Sequence, residues 1–240
     1  MLRLTFMGLV ICLSSNFMVG AESYRSTLSI VGGNSDARGQ LHIVLRNGKS
    51  TTVSAFSLRH PDGAIEIEEF LPPKQSGILP GVNYDFAFPL NPSASDVERN
   101  VNSYSITGVV FADGSSEGLA ADVNQIVTLR AGRAYGLRQL LPTLEGLRHS
   151  QKGTLAEDIH AAAAAIASRP LTLEDGTQAT GLFANGLQSA HRLTAGQLEK
   201  TENLMRASSS DNGDKATSLL ERLISDHKIT LAGMENSTIR

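Results

Sequence analysis

The sequence predicts an α+β protein: an N-terminal immunoglobulin-like antiparallel β-sandwich followed by a helical C-terminal region. Up to Gly118, apolar residues recur at every second position in short runs separated by turn residues, as in strands with one buried face. From Leu119 onward, apolar residues recur at helical spacing, which indicates amphipathic helices. About six or seven short strands with frequent turns favour a sandwich of two sheets.

The first residues have the pattern of a secretory signal peptide. Arg3 supplies a positive charge, residues 4–13 form an apolar run, and Val19-Gly20-Ala21 places small residues before a cleavage point. The apolar run is about half as long as the roughly 20 residues that span a bilayer. We therefore expect residues 1–21 to be removed and the mature chain to be periplasmic or extracellular. An uncleaved N-terminal anchor is the alternative.

The composition argues against several classes of protein. Cys12 is the single cysteine and lies in the predicted signal peptide, so the mature chain would have no disulfide, no thiol nucleophile and no thiolate zinc site. The formal net charge is −3 and no basic tract is present, which argues against a nucleic-acid partner. No other stretch is apolar enough to span a bilayer, so we expect no stable membrane span after cleavage.

Each predicted strand is an alternation of apolar and polar residues that ends at turn residues. In chain order the first five runs are Leu28 to Ile30, Leu41 to Leu45, Thr51 to Arg59, Ile65 to Glu68 and Tyr84 to Phe88. Glycine and proline supply the backbone angles of the predicted turns at Gly32-Gly33, Asn47-Gly48 and His60-Pro61-Asp62-Gly63.

The last strand, Tyr104 to Phe111, is apolar on both faces, as Val109 and Val110 illustrate. This pattern is typical of a central strand or of one that helices cover. The helix beginning at Leu119 is the candidate cover. We therefore divide the mature chain into a β-sandwich domain, residues 22–118, and a helical region, residues 119–240, packed on or following the sandwich.

The helical region is predicted from apolar residues at helical spacing and from residues that typically start or end helices. The first helix should end near Leu141, because Pro142 should break or kink it, and Gly132 and Gly136 should each weaken it by about 1 kcal/mol. A serine-rich linker, residues 207–213, precedes the last helix, and the tail after Lys228 is expected to fray. Capping patterns predict further helix starts at Thr154-x-x-Glu157, Thr194-x-x-Gln197 and Asp214.

Two groups of charged side chains allow more than one interpretation. Glu66, Glu68 and Glu69 could act as acid and base or bind calcium, but the neighbouring isoleucines favour a solvated outer strand face. Arg130 and Arg133 could pair with carboxylates of a partner or of the sandwich, although a solvated helix face is the favoured interpretation. The run Asp211-Asn212-Gly213-Asp214 departs from the calcium-loop pattern and is interpreted as a linker with a helix cap.

The usual signatures of catalytic and cofactor sites are missing from the sequence. No nucleophile elbow, phosphate-binding loop or dinucleotide-binding motif is present. The histidines lack metal-binding spacing; they are His42, His60, His149, His160, His191 and His227. We therefore predict no catalytic, cofactor-binding or metal-binding residues and no cofactor.

Two parts of the chain resemble segments of known proteins. The segment Ile106-Thr107-Gly108-Val109-Val110-Phe111-Ala112-Asp113-Gly114-Ser115 leads into a helix ending Leu140-Leu141-Pro142. Later, Gly186-Leu187 precedes a helix with Leu198 and Leu204, a polar linker and a helix with Leu219 and Leu223. This arrangement resembles uncharacterised exported bacterial proteins with an N-terminal β-sandwich and a helical C-terminal half. The resemblance implies a fold and an exported location but no site residues.

These observations predict a non-enzymatic exported module of the cell envelope, with a structural or protein-interaction role and an envelope or secreted protein as partner. The alternative is a hydrolase or small-ligand-binding protein. Its site would form at the sandwich–helix junction, where carboxylates and histidines distant in sequence could meet.

Overall fold

The structure, a computed structural model, describes residues 26–71, 77–91, 93–151, 154–207 and 213–236. It confirms the α+β class, because antiparallel sheets occupy the N-terminal half and helices occupy the C-terminal half. The predicted signal peptide, residues 1–21, and the pair Asp211-Asn212 lie outside the described residues.

The described strands form two antiparallel sheets. In chain order they are β1 (Leu28–Ser35), β2 (Gln40–Asn47), β3 (Val53–Arg59), β4 (Ile65–Glu69), β5 (Asn83–Pro89), β6 (Ser105–Phe111) and β7 (Ser116–Gly118). The first sheet has the order β1-β2-β5 and the second has the order β4-β3-β6-β7. The chain therefore crosses from one sheet to the other three times: between β2 and β3, between β4 and β5, and between β5 and β6.

Two predicted turns have other roles. Gly32 and Gly33 lie inside β1, where a register shift against β2 marks a bulge. Asn47 and Gly48 do not close a hairpin, because β2 and β3 belong to different sheets. The Asn47 side chain is buried, and its amide nitrogen donates to two backbone carbonyl oxygens at 2.8 and 2.9 Å. The pair thus fixes a connection between sheets.

One apolar cluster joins the two sheets. Leu41 and Ile43 of β2 belong to it together with Phe56 of β3 and Phe111 of β6, and all four are fully buried. The ring of Phe86 on β5 meets that of Phe56 edge to face at 5.5 Å between centroids. The two sheets therefore share one core.

The helices follow the sheets, apart from a short connection. Helix α1 (Asp96–Arg99) and a 3-10 turn (Val101–Ser103) lie between β5 and β6. The C-terminal half contains α2 (Ala120–Leu147), α3 (Leu155–Ala167), α4 (Gly181–Arg206) and α5 (Gly213–Asn236).

Helix α2 covers the second face of the four-stranded sheet. Ile126 of α2 forms an apolar cluster with Ala55 of β3 and Val110 of β6, and the half-buried Ile67 and Val123 pack against it. The two-sided apolar pattern of β6 thus reflects the first sheet on one face and α2 on the other.

The predicted end of α2 near Leu141 is wrong, because the helix continues through Pro142 to Leu147. Leu144 and Leu147 are buried in a cluster that also contains residues of α3, α4 and α5. Burying such a side chain contributes about 1.5–3 kcal/mol. Two of them together offset the roughly 3 kcal/mol that an internal proline costs.

Thr194 does not cap a helix. It lies within α4, fully buried, with its hydroxyl oxygen 2.7 Å from Nε2 of His227 on α5. The other ring nitrogen, Nδ1, lies 2.9 Å from the carbonyl oxygen of Leu223, which can only accept. Nδ1 therefore donates and Nε2 accepts from the threonine. The predicted helix start at Thr194 is therefore wrong, because α4 is continuous from Gly181 to Arg206.

Two further predictions concern helix ends. The predicted start at Thr154 is confirmed, because Thr154 is the N-cap of α3, but the capping hydrogen bond is absent and the hydroxyl contacts Asp158 at 3.1 Å. The chain after Lys228 does not fray at once, because α5 continues to Asn236. Leu231 and Met234 are buried in a cluster with residues of α2 and α4, and this burial explains the longer helix.

Candidate functional site

The sheet–helix junction contains an ion-paired cluster beside its apolar one. Glu69 of β4 accepts from Nε of Arg130 at 3.2 Å and from a guanidinium nitrogen of Arg133, so each carboxylate oxygen has an arginine partner. Arg130 also donates to the backbone oxygen of Ser54 at 2.7 Å, and Arg133 donates to the hydroxyl of Ser189 on α4 at 3.0 Å. The cluster ties the four-stranded sheet to α2 and α4.

The favoured interpretation, in which Glu69, Arg130 and Arg133 lie on solvated faces, is wrong. The exposed fractions of the side chains are 3% for Glu69, 5% for Arg130 and 12% for Arg133. Glu69 is buried because it shares the strand face of Ile67, which packs beneath α2. The alternative interpretation, pairing of the arginines with a carboxylate of the sheets, describes the cluster.

The junction is unsuited to acid–base chemistry. Burial lowers the pKa of Arg130, while the charge of Glu69 and its hydrogen bond oppose that change. Asp122, at the start of α2, is likewise buried and pairs with Arg59 at 2.9 Å. No histidine among the described residues joins these carboxylates. Both carboxylate oxygens of Glu69 are already bonded to arginines, so we assign the cluster a structural role.

The histidines lie on different elements of the fold. His42 lies on β2 with its Nδ1 2.9 Å from Asp85, and this hydrogen bond is the main cause of the raised pKa of His42. His160 pairs with Glu202 at 3.0 Å, and His191 is buried, which lowers its pKa. In the part of the chain that the structure describes, no group of three or more His, Cys, Asp or Glu side chains could hold a metal ion.

Thr194 and His227 are a hydroxyl and an imidazole in hydrogen-bond contact, the arrangement that can activate a nucleophile. Their exposed fractions are 0% and 6%, and they lie between α4 and α5. A substrate could not reach the hydroxyl without separating the two helices. The pair therefore bonds α4 to α5.

An open groove lies where β7 meets α2. Its volume is about 460 Å³, and its polar lining residues are Ser116, Glu117 and Asn124. Burial favours a higher pKa for Glu117, but hydrogen bonds from Thr27 and the pairing with Lys49 lower it overall. Glu117 is therefore ionised and already bonded.

A smaller cleft lies at one end of the sheets, and we name it the end cleft. Its walls come from three separate connections: the β3–β4 turn, the end of β5 with the residues after it, and the segment from α1 to β6. The volume is about 130 Å³. The lining residues are His60, Pro61, Asp62, Phe88, Pro89, Leu90, Asn91, Glu98 and Tyr104.

Local sequence explains how each wall is held. In the turn, the side chain of Asp62 accepts from the backbone nitrogen of Ala64 at 2.9 Å. Ser95 and Glu98 form a capping box that starts α1. The hydroxyl of Tyr104 donates to the backbone oxygen of Glu98 at 2.8 Å, which fastens α1 to the sheet.

Three rings form the floor of the end cleft. The ring centroid of His60 lies 5.3 Å from that of Phe88 and 5.2 Å from that of Tyr104, and the last two are 5.7 Å apart. Nε2 of His60 lies 3.2 Å from a carboxylate oxygen of Glu66. Burial raises the pKa of Tyr104, and the charges of Glu98, Asp62 and Glu66 raise it further. The floor is thus aromatic and its surroundings are acidic.

Sequence reasoning identified the pieces of the end cleft without assembling them. The alternation placed Phe88 in the core and the turn chemistry identified His60 to Gly63, but neither pattern shows that the two segments meet. The capping box at Ser95-x-x-Glu98 was a signal for α1 that the sequence offers directly. The meeting of the three walls follows from strand order.

Comparisons with protein-family models, with curated proteins and with solved structures found no match. The resemblance to exported bacterial proteins therefore stays a prediction. Among the described helices, none combines the length and the apolar character needed to cross a membrane.

Proposed function

We propose that this chain is a non-enzymatic exported module of the cell envelope that binds a protein partner at the end cleft. The observation that carries the proposal is the end cleft itself, in which three connections present aromatic and acidic side chains from the end of a rigid pair of sheets. Binding residues are commonly placed on loops that a packed scaffold holds in position. The N-terminal pattern of Arg3, the apolar run and the small residues supports export.

We also propose that the two sheets form an immunoglobulin-like sandwich. Constant-type immunoglobulin domains have the strand orders A-B-E-D and C-F-G. Lettered in the same way, the orders here are A-B-E and D-C-F-G, so only the fourth strand has changed sheets. The shared apolar core supports face-to-face packing of the sheets. Such sandwiches cluster their connections at two ends, which is where the end cleft lies.

Site-specific photo-crosslinking tests the proposed interaction. Asn91 lies on the rim of the end cleft and is exposed, whereas the exposed Ala112 lies in the β6–β7 turn at the opposite end of the second sheet. A photoreactive amino acid at Asn91 is expected to give one saturable adduct in envelope extract, detected by mass spectrometry. Unlabelled protein should compete for it, and the same amino acid at Ala112 should not form it. Equal adducts at both positions, or none at Asn91, would contradict the proposal.

The second candidate is a small-ligand-binding protein with its site in the groove between β7 and α2. The groove volume of about 460 Å³ falls within the roughly 300–1,000 Å³ of typical ligand pockets. A fragment screen read by amide NMR spectra separates the two candidates. This candidate predicts shifts at Ser116, Glu117 and Asn124, whereas shifts at Asp62 and Asn91 would favour the end cleft.

A further inference from the structure

We propose that the end cleft recognises an alkylammonium group, the cation that a lysine side chain of a protein partner presents. This inference rests on the proposed function, because it names the chemistry that the same cleft would bind. Three observations lead to it: the aromatic floor, the sign of the surrounding charges and the size of the cavity.

The aromatic floor places three rings at the cavity. Phe88 is half-buried and lines the cleft, and the neighbouring Tyr104 meets it at an interplanar angle of 61°. The faces of aromatic rings carry negative partial charge and attract a cation that lies within about 6 Å of the centroid. His60 completes the floor, with its Nε2 directed toward Glu66. An ammonium group in this cavity would lie beside these rings.

The charges around the floor are predominantly negative. The carboxylates of Asp62 and Glu98 line the cleft, and Glu66 lies behind His60. Arg99 is not among the lining residues, and its Nε donates to the backbone oxygen of Ala94 at 3.1 Å. An anion would therefore meet repulsion from the cleft walls, whereas a cation would meet attraction from both the carboxylates and the rings.

The size of the cavity restricts the ligand to a small head group. A volume of about 130 Å³ lies well below the roughly 300–1,000 Å³ that drug-sized ligands need. An ammonium with its last methylene groups is of suitable size. The remaining methylene groups of a lysine side chain would pass over the apolar rim formed by Pro61 and Leu90.

NMR titration of the full-length ¹⁵N-labelled protein with Nα-acetyl-lysine N-methylamide tests the inference. We expect saturable shifts of the Asp62, Gly63 and Asn91 amides, with a dissociation constant on the order of 1 mM. The norleucine analogue, which has the same chain length without the amine, is expected to give no saturable shifts. Added salt should weaken lysine binding, because the attraction is partly Coulombic.

Matched substitutions connect the binding to the end cleft. Asp62→Asn keeps the side-chain oxygen that accepts from Ala64 and removes the charge, so it is expected to weaken binding about three- to tenfold. Phe88→Leu keeps apolar volume, removes the ring face and should also weaken binding. Asp113→Asn is the control, because Asp113 accepts from the backbone of Ser115 in a similar turn at the other end of the sheet. That variant should bind like the unaltered protein.

Several results would overturn the assignment: no saturable shifts with the lysine probe, equal binding of the norleucine analogue, or equal weakening by Asp113→Asn. If the lysine probe fails while the Asn91 cross-link persists, the cation assignment is wrong and the interaction site stands. If both fail, the proposed function is wrong as well.

Discussion

Replacing Gly186 by alanine is expected to lower the free energy of unfolding by about 1–3 kcal/mol. Gly186 is buried where α4 crosses α2, and a Cβ atom there would lie 2.0 Å from the carbonyl oxygen of Leu129 and 2.8 Å from the backbone nitrogen of Arg133. Backbone atoms cannot move aside as a flexible side chain can, so the two helices would have to separate. Alanine's better helix propensity, about 1 kcal/mol, would offset only part of this cost.

On the α2 side of the α2–α4 crossing, we also expect a glycine-to-alanine substitution to lower stability. A Cβ atom at Gly132 of α2 would lie 2.0 Å from the carbonyl oxygen of Phe183 on α4. We therefore expect Gly132→Ala to destabilise the protein by a similar amount. Chemical denaturation, with the free energy extrapolated to zero denaturant, measures both variants.

Gly196 provides the control within α4. Nothing lies within 4 Å of a Cβ atom built there, and the residue is exposed. Alanine at this position should raise the free energy of unfolding by about 0.4–1 kcal/mol, because it improves helix propensity without a clash. The close packing of α2 on α4 therefore predicts that Gly186→Ala lowers the free energy of unfolding, whereas Gly196→Ala in the same helix raises it. A gain in stability from Gly186→Ala would show that the crossing is looser than described.

These glycines show what spacing alone predicts about the helical half. Apolar spacing correctly indicated helices, because that period belongs to each segment by itself. For Gly132, the sequence predicted only a weaker helix, because no local pattern reveals that α4 packs against this residue. The predicted break at Pro142 failed for a related reason. Burial of Leu144 and Leu147 is a property of the packed helices and outweighs the local preference.

For the sheets, too, the local sequence predicts the strands but not how they pair. Alternation located β1 to β6, including the strand at Tyr84 to Phe88, but missed the three-residue β7. Turn chemistry at Asn47-Gly48 suggested a hairpin, but the partners of β2 are β1 and β5, which no turn pattern determines. The end cleft depends on that strand order, because Phe88 meets Tyr104 only when β5 and β6 lie in facing sheets.

Glu69→Gln is expected to lower the free energy of unfolding by about 3–5 kcal/mol. Glutamine keeps the volume of the side chain and removes its charge, so Arg130 and Arg133 would lose the carboxylate that both of them bind. The hydrogen bonds to the backbone oxygen of Ser54 and to the hydroxyl of Ser189 would remain, and both of these acceptors are neutral. The alternation around Ile67 could not reveal this cluster, because its members are 61 and 64 positions apart.

The exposed pair Arg138–Glu235 is the matched control. Its side chains are 56% and 44% exposed, and their charged atoms are 2.7 Å apart. Glu235→Gln should cost about 0–1 kcal/mol, because solvent screens an exposed pair, and that small contribution should fall further in high salt. The loss caused by Glu69→Gln should depend much less on salt, because the buried cluster is shielded from mobile ions. A loss of less than about 1 kcal/mol for Glu69→Gln would mean that water reaches the arginines. In that case α2 would be held to the sheet by the apolar cluster around Ile126 and by the Arg59–Asp122 pair.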